Sequence, residues 1–444
     1  MPANYSIRLS FFFLFLFSVP LFAQDNGNYD RIDILLARGE YDQAVTILNE
    51  SIKKDSLNAG LYYRLGLAYQ GAYRSEKAAD AFSSAIRLDS SKAVYYSEMG
   101  RTLESLGMYK KAVDHYMTAY SRDSSNKSIA FSLAGVFMSE EAYDQAAEVY
   151  NKILQRDTMN SFIYAQLGYC ALKSDSVRLS ASYYEKAHAL NPSNITSAQQ
   201  LAINYIKLDS TRLANALIDE SLQLYPDNSL LHKLKADIYF RKKNYLNAAA
   251  YYKNAINTGD LTSSVFQKLG YCYFYYAGLN DSLNANQKLV YFEEAKAALE
   301  YSYLIEPGNP RTCFYLGALN SELGKFDTSI VYFEKAAKSG TLEFMPELYS
   351  RLGASYLVLK KYDDAAAAYK KSLIMKFNID MAFNNLVYIY TTQGKQERVT
   401  SLYNEFIEDD MTIPEIRKSS LKLRVTNSGR IINKNKASDK GAKP

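Results

Sequence analysis

A spacing of 34 residues runs through this 444-residue chain and limits what it can fold into more than any other feature. Gly66 returns as Gly100 and, two steps further, as Gly168. Ala78 returns as Ala112, Ala146 and Ala214, Phe82 as Tyr116, Tyr150 and Tyr184, and Ala85 as Ala119 and Ala187. Pro192 and Pro226 share the same spacing. Several positions recurring together on one period mark a repeat array, in which each unit is a single supersecondary element. Within one period Tyr62, Leu65, Gly66 and Tyr69 fall on one face of a helix, and Ala78, Phe82 and Ala85 do so for a second helix. The segment between them is short and polar: GAYRSEK here, GMYKK at Gly107 and GKFDT at Gly324. Its glycine is expected to let the first helix end in a left-handed residue. Small residues at the Gly66 and Ala78 positions let two backbones approach, and the ring at the Phe82 position fills the gap between neighbours. No such unit buries its apolar face alone, so each must stack on the next.

The order aromatic, Leu-Gly, Tyr, then Ala, aromatic, Ala, often with a following Pro, resembles the tetratricopeptide repeat family. The resemblance implies an all-α solenoid of about eleven helix-turn-helix repeats, beginning near 25, 59, 93, 127, 161, 195, 229, 263, 310, 346 and 380. It covers 24–414. The end units depart from the pattern as caps do: Arg31-Ile32 replaces Leu-Gly in the first, and Val387 and Val399 replace Gly and Ala in the last. In the eighth unit Gly270 to Ala295 spans twenty-five residues, where Gly66 to Ala78 spans twelve. The extra residues, near 277–289, are expected to project as a loop, either as a tolerated insertion or as a partner contact.

The two ends of the chain read differently. Residues 1–23 hold Arg8, an apolar run from Leu9 to Phe22 and a small Ala23, the layout of a secretory signal peptide. The run is short for a membrane span, so the expectation is an exported chain, periplasmic or associated with the cell envelope, with no transmembrane span after cleavage. From Glu415 onward nine Lys/Arg stand against two Asp/Glu, so 415–444 reads as a basic, disordered tail that could contact an anionic envelope surface. Without that tail and Arg8 the remainder is close to neutral, which argues against nucleic acid as a partner.

The chain carries few residues in patterns that point to chemistry. His115, His188 and His232 lack metal-ligand spacing, and no phosphate-binding, nucleophile-elbow or dinucleotide motif occurs. Cys170, Cys272 and Cys313 are too few for a disulfide framework and read as small buried hydrophobes. Paired carboxylates such as Glu140-Glu141, Glu293-Glu294 and Asp363-Asp364 fit helix starts and turns better than acid-base pairs. The expectation is a protein without enzymatic activity, metal or cofactor.

In the family resembled, the first helix of each repeat lines a concave face through its second, fifth, ninth, twelfth and thirteenth positions. Carried onto this chain, the fourth repeat supplies Phe131, Gly135 and Met138, and the fifth Phe162, Tyr169, Leu172 and Lys173. The sixth supplies Ile203, Ile206 and Lys207, the seventh Lys233, Asp237, Phe240 and Arg241, and the eighth Tyr271, Phe274 and Tyr275. A strip of rings with basic edges fits docking of protein or peptide partners. The pairing of Lys and Asn used by chaperone-tail binders is absent: Lys233 has Asp237 where Asn is needed, and an acid there is expected to repel a terminal carboxylate. Two further classes remain open, a glycan or wall-polymer binder and a structural subunit of an envelope assembly.

Overall fold

The computed structural model describes residues 28–338 and 343–407, together with the backbone of 423–425 and 431–433. The described residues form eleven helical hairpins, as the period predicts, and the chain divides into two compact units, Met1–Asn191 and Pro192–Pro444. The first unit holds α1 (Asn28–Arg38) with α2 (Tyr41–Lys54), α3 (Ala59–Gly71) with α4 (Ser75–Leu88), and α5 (Ala93–Ser105) with α6 (Tyr109–Arg122). It continues with α7 (Lys127–Ser139) and α8 (Tyr143–Leu154), then α9 (Ser161–Lys173) and α10 (Val177–Leu190). The second unit holds α11 (Ile195–Lys207) with α12 (Thr211–Leu224), α13 (Ser229–Arg241) with α14 (Tyr245–Asn257), and α15 (Ser263–Leu279) with α16 (Ala285–Ile305). It closes with α17 (Pro310–Glu322) and α18 (Phe326–Ala337), α19 (Met345–Val358) and α20 (Tyr362–Ile374), and α21 (Ile379–Thr392) and α22 (Gln396–Ile407). Two short strands, β1 (Leu423–Val425) and β2 (Ile431–Asn433), pair antiparallel within the basic segment. The signal-peptide reading of 1–23 lies outside the described residues, as does most of 415–444.

The recurring residues have a packing reason. A Cβ added at Gly66 would meet the Phe82 ring at 2.5 Å, one at Gly168 the Tyr184 ring at 2.8 Å, and one at Gly317 the Phe333 ring at 2.7 Å. The ring therefore rests on the glycine of its own hairpin. Ala78, Ala85, Ala112 and Ala119 are completely buried beside these rings. The apolar faces merge into cores that run from one hairpin to the next, for example Leu103, Tyr116, Leu133, Tyr150 and Ile163.

The turns follow a different rule from the one expected. Gly107 and Gly324 do adopt the left-handed conformation after the first helix (φ 72° for both). Tyr73, Glu141, Asp175, Asp209 and Lys243 adopt it at the same place with φ between 54° and 57°. In GAYRSEK it is thus Tyr73 that turns left-handed, while Gly71 stays in α3, where a Cβ would meet the Tyr41 ring at 2.3 Å. Helix starts are fixed by asparagine: the side chains of Asn58, Asn126, Asn160, Asn194 and Asn228 each accept a backbone N–H from the first turn of α3, α7, α9, α11 and α13.

The insertion in the eighth hairpin is not the projecting loop expected. It is taken up as helix: α15 runs for 17 residues and α16 for 21, leaving only a five-residue connection, 280–284. Ala277 is fully buried, and Asn284 and Gln287 form a reciprocal capping box that starts α16. Additional helical turns satisfy their own backbone hydrogen bonds, which an irregular excursion of this length could not do.

Candidate functional site

First helices of successive hairpins lie side by side within each unit, and their outward faces carry the residues singled out by sequence. In the first unit that face is richest on α7 and α9. Phe131 is half-buried, 6.0 Å from Phe162 and 6.3 Å from Tyr150 between ring centres. The Cys170 thiol donates toward the Met138 sulfur at 3.3 Å, which ties α9 to α7 a second time. Phe162 and Tyr169 are exposed, at 53% and 38%, and Leu172 is half-buried. The Lys173 ammonium lies over the rings of Tyr169 and Tyr143, 5.5 and 5.9 Å from their centres. Burial pushes the Cys170 thiol up to about 11, so it stays protonated and acts as packing.

Earlier in the same unit, α3 and α5 present a polar stretch. Arg64 donates two hydrogen bonds to Asp33, at 2.8 and 3.0 Å, and joins α3 to α1. Glu98 is buried, with its Oε2 3.1 Å from Nη1 of Arg101. Tyr116 donates to Glu104 at 2.6 Å. Burial raises both carboxyls above the usual carboxylate range, Arg101 opposing it at Glu98 and the Tyr116 hydroxyl at Glu104.

In the second unit the apolar sequence-predicted residues are drawn inward, while Lys207 and Arg241 stay exposed. Ile206 is buried and Ile203 half-buried. Arg241 donates to the Ile206 carbonyl at 3.2 Å, near the C-terminal end of α11 where a cation is favoured. Phe240, Tyr245 and Tyr275 close on one another, with centroids 5.5, 5.3 and 6.4 Å apart. Phe274 meets Tyr315 edge-on at 5.5 Å. Tyr271 is only 9% exposed, 4.1 Å from Tyr315, and the hydroxyls of Tyr275 and Tyr315 are 2.5 Å apart. The Tyr271 hydroxyl is buried without a hydrogen-bond partner. This ring is therefore floor, while Phe240, Phe274 and Tyr275 stay half-buried above it.

Asp237 is not the free acid that its sequence position suggests. Asp237 accepts from Lys268 at 2.6 Å and from the Tyr252 hydroxyl, so its charge is compensated rather than free to repel. Lys233 is committed to Asp260 at 3.0 Å. The chaperone-tail pairing thus lacks its Asn, and its Lys is already paired within the protein.

Among the described residues no group of three or more His, Cys, Asp or Glu is placed to hold a metal ion. All three cysteines are buried free thiols. No helix among the described residues is long and apolar enough to cross a membrane.

A repeated helical hairpin, with a ring seated on a glycine and a polar turn every 34 residues, defines an α-helical repeat protein. Family models described as TPR repeat match 33–72, and as tetratricopeptide repeat match 97–160, 200–261 and 320–376. The chain belongs to the tetratricopeptide repeat family. A comparison with curated proteins finds no match. Among solved structures, YrrB, described as a TPR protein with an unusual peptide-binding site, is similar at 19% identity over 41% of this chain and 95% of its own (TM-score 0.38). The C-terminal part of a TPR repeat-containing protein from Cytophaga hutchinsonii is similar at 16% identity over 65% of this chain and 99% of its own (TM-score 0.40). A tetratricopeptide repeat protein from Parabacteroides merdae is similar at 13% identity over 59% of this chain and 98% of its own (TM-score 0.40).

Proposed function

We propose that this chain is a non-enzymatic interaction scaffold that docks segments of partner proteins on the first-helix faces of its hairpins. One observation carries the reading. Phe162 and Tyr169 stand exposed on a face whose core, Ile163, Leu167 and Cys170, is already fully packed beneath them. Exposed rings contribute nothing to that core, and clustered exposed apolar groups mark interaction surfaces. Lys173 beside them adds a charged edge.

The test is capture from cells by chemical crosslinking, with the native protein and with Phe162→Glu/Tyr169→Glu. Both substitutions lie at exposed positions, so folding and melting are expected to be unchanged. A defined partner lost in the variant supports docking on this face. Equal capture by both proteins removes it. We further infer export to the cell envelope from the leader pattern of 1–23. Mass spectrometry of the protein from its native cells is expected to find a mature N-terminus near Gln24; an N-terminus at Met1 in a cytoplasmic fraction overturns that inference.

A further inference from the structure

Gly135 is a glycine without a packing or conformational reason. It lies in the middle of α7 and has no positive φ. A Cβ added there would meet nothing within 4 Å, unlike Gly66, Gly100, Gly168, Gly317 and Gly353, whose missing side chains admit a ring. A mid-helix glycine costs about 0.5–1 kcal/mol relative to alanine. It occupies the ninth position of its first helix, where the neighbouring repeats place Arg101 and Tyr169.

Two contacts bracket it. Phe131 meets Phe162 on one side, and Met138 meets Cys170 on the other. Phe131 is four residues before Gly135 and Met138 three after, so all three share one face of α7. The same offsets of 31 and 32 residues set half-buried Gln166 and buried Leu167 across from Gly135 on α9. The result is an open notch over Gly135, closed at its ends by a ring pair and a sulfur pair. Neither α7 nor α9 contains an acidic residue. Their two cations differ: Lys127 is paired with Asp157 at 3.4 Å, whereas Lys173 has no carboxylate within ion-pair distance among the described residues.

From this geometry we propose that the notch seats an aromatic side chain of a partner segment that carries a carboxylate next to it, the ring resting over Gly135 and the carboxylate meeting Lys173. This rests on the docking reading above and makes it specific. A flat ring uses the space that a Cβ would fill and gains contact with Phe131 and with the Met138 thioether, which favours aromatic edges. The unpaired ammonium selects an acidic over a basic neighbour.

The experiment is selection of a displayed random twelve-residue peptide library on the purified protein. Synthetic copies of the enriched peptides are then titrated against the native protein, Gly135→Ala, Gly135→Leu, Lys173→Glu and Phe162→Glu/Tyr169→Glu. The expected peptides carry Phe, Tyr or Trp beside Asp or Glu. Gly135→Ala is expected to raise the melting temperature and yet weaken binding, a combination that general damage to the fold does not produce. Gly135→Leu is expected to weaken it by about ten- to a hundredfold, and Lys173→Glu to reverse the preference for acidic neighbours. Peptides that bind Gly135→Leu as tightly as the native protein, but are lost with Phe162→Glu/Tyr169→Glu, overturn the notch and leave the docking face standing. Peptides unaffected by every variant, or no enrichment at all, overturn both.

Discussion

Tyr169 and Tyr271 occupy the same ninth position of a first helix, one in each unit, and they have opposite fates. Tyr169 is 38% exposed, with its ring edge-on to Tyr143 at 6.1 Å and a lysine over it. Tyr271 is 9% exposed, covered by Tyr315 at 4.1 Å. At Tyr271 the cover comes from the next hairpin of the same unit. The ninth hairpin brings Tyr315 on α17, with Phe314 beside it, and Tyr315 meets Tyr271, Phe274 and Tyr275 and turns that face into core. A repeat position thus predicts which way a side chain points; the neighbouring repeat decides whether water or protein covers it.

The largest expected effect separates these two tyrosines. Tyr271→Ala removes a buried ring and is expected to lower stability by about 3–5 kcal/mol in chemical denaturation, against less than about 1 kcal/mol for Tyr169→Ala. Similar costs at both sites would erase the contrast. Tyr271→Phe sharpens it: deleting a buried hydroxyl without a partner is expected to be neutral or stabilising by about 1 kcal/mol.

Next come two glycines of neighbouring first helices. Gly168→Ala drives a methyl into the Tyr184 ring, 2.8 Å away, and is expected to cost about 1–3 kcal/mol. Gly135→Ala fills open space and is expected to stabilise by about 0.5–1 kcal/mol. The same sign for both in a melting experiment would break the distinction between a packing glycine and a notch.

A pH test probes the polar stretch of the first unit. Burial raises the Glu98 carboxyl, so the folded protein holds its proton more tightly than the unfolded chain does. Its contribution to stability is present below the unfolded carboxylate pKa and is lost as pH rises through the raised folded value. Glu98→Gln is therefore expected to raise the melting temperature at neutral pH and to change it little near about pH 4. A lower melting temperature at neutral pH would show that the Arg101 ion pair outweighs burial. The smallest effect is at the turns: Tyr73→Gly relieves a left-handed residue that is 95% exposed, for a gain of at most about 1 kcal/mol.

Much of the fold was legible because packing and period coincide. Spacing singled out Gly66, Phe82, Gly168 and Tyr184, but not their pairing: the glycine admits the ring of its own hairpin, where close approach of two backbones was expected. The helix-starting asparagines, Asn126, Asn160, Asn194 and Asn228, share the same 34-residue phase and could have been found by it. The helical insertion was harder to read, because AGLNDSLNANQKL has turn residues at Asn280 to Asn284 with helix on both sides. Position in the repeat placed Phe162 and Tyr169 on a first-helix face, where both are exposed, but the burial of Tyr271 depends on Tyr315, forty-four residues later. The Asp237 charge is likewise settled by Lys268 on the next first helix.

The long eighth hairpin has a consequence for how the chain can be cut. Its two helices, α15 and α16, contact each other more extensively than any other pair of elements. The connection between them is confined to 280–284, with Asp281 and Ser282 at its exposed surface. A chain broken there would place α15 and α16 on separate fragments, each keeping the apolar side that packs on the other. The protein thus carries a natural seam for split reconstitution, where two separately made pieces can find each other and reassemble without a covalent link.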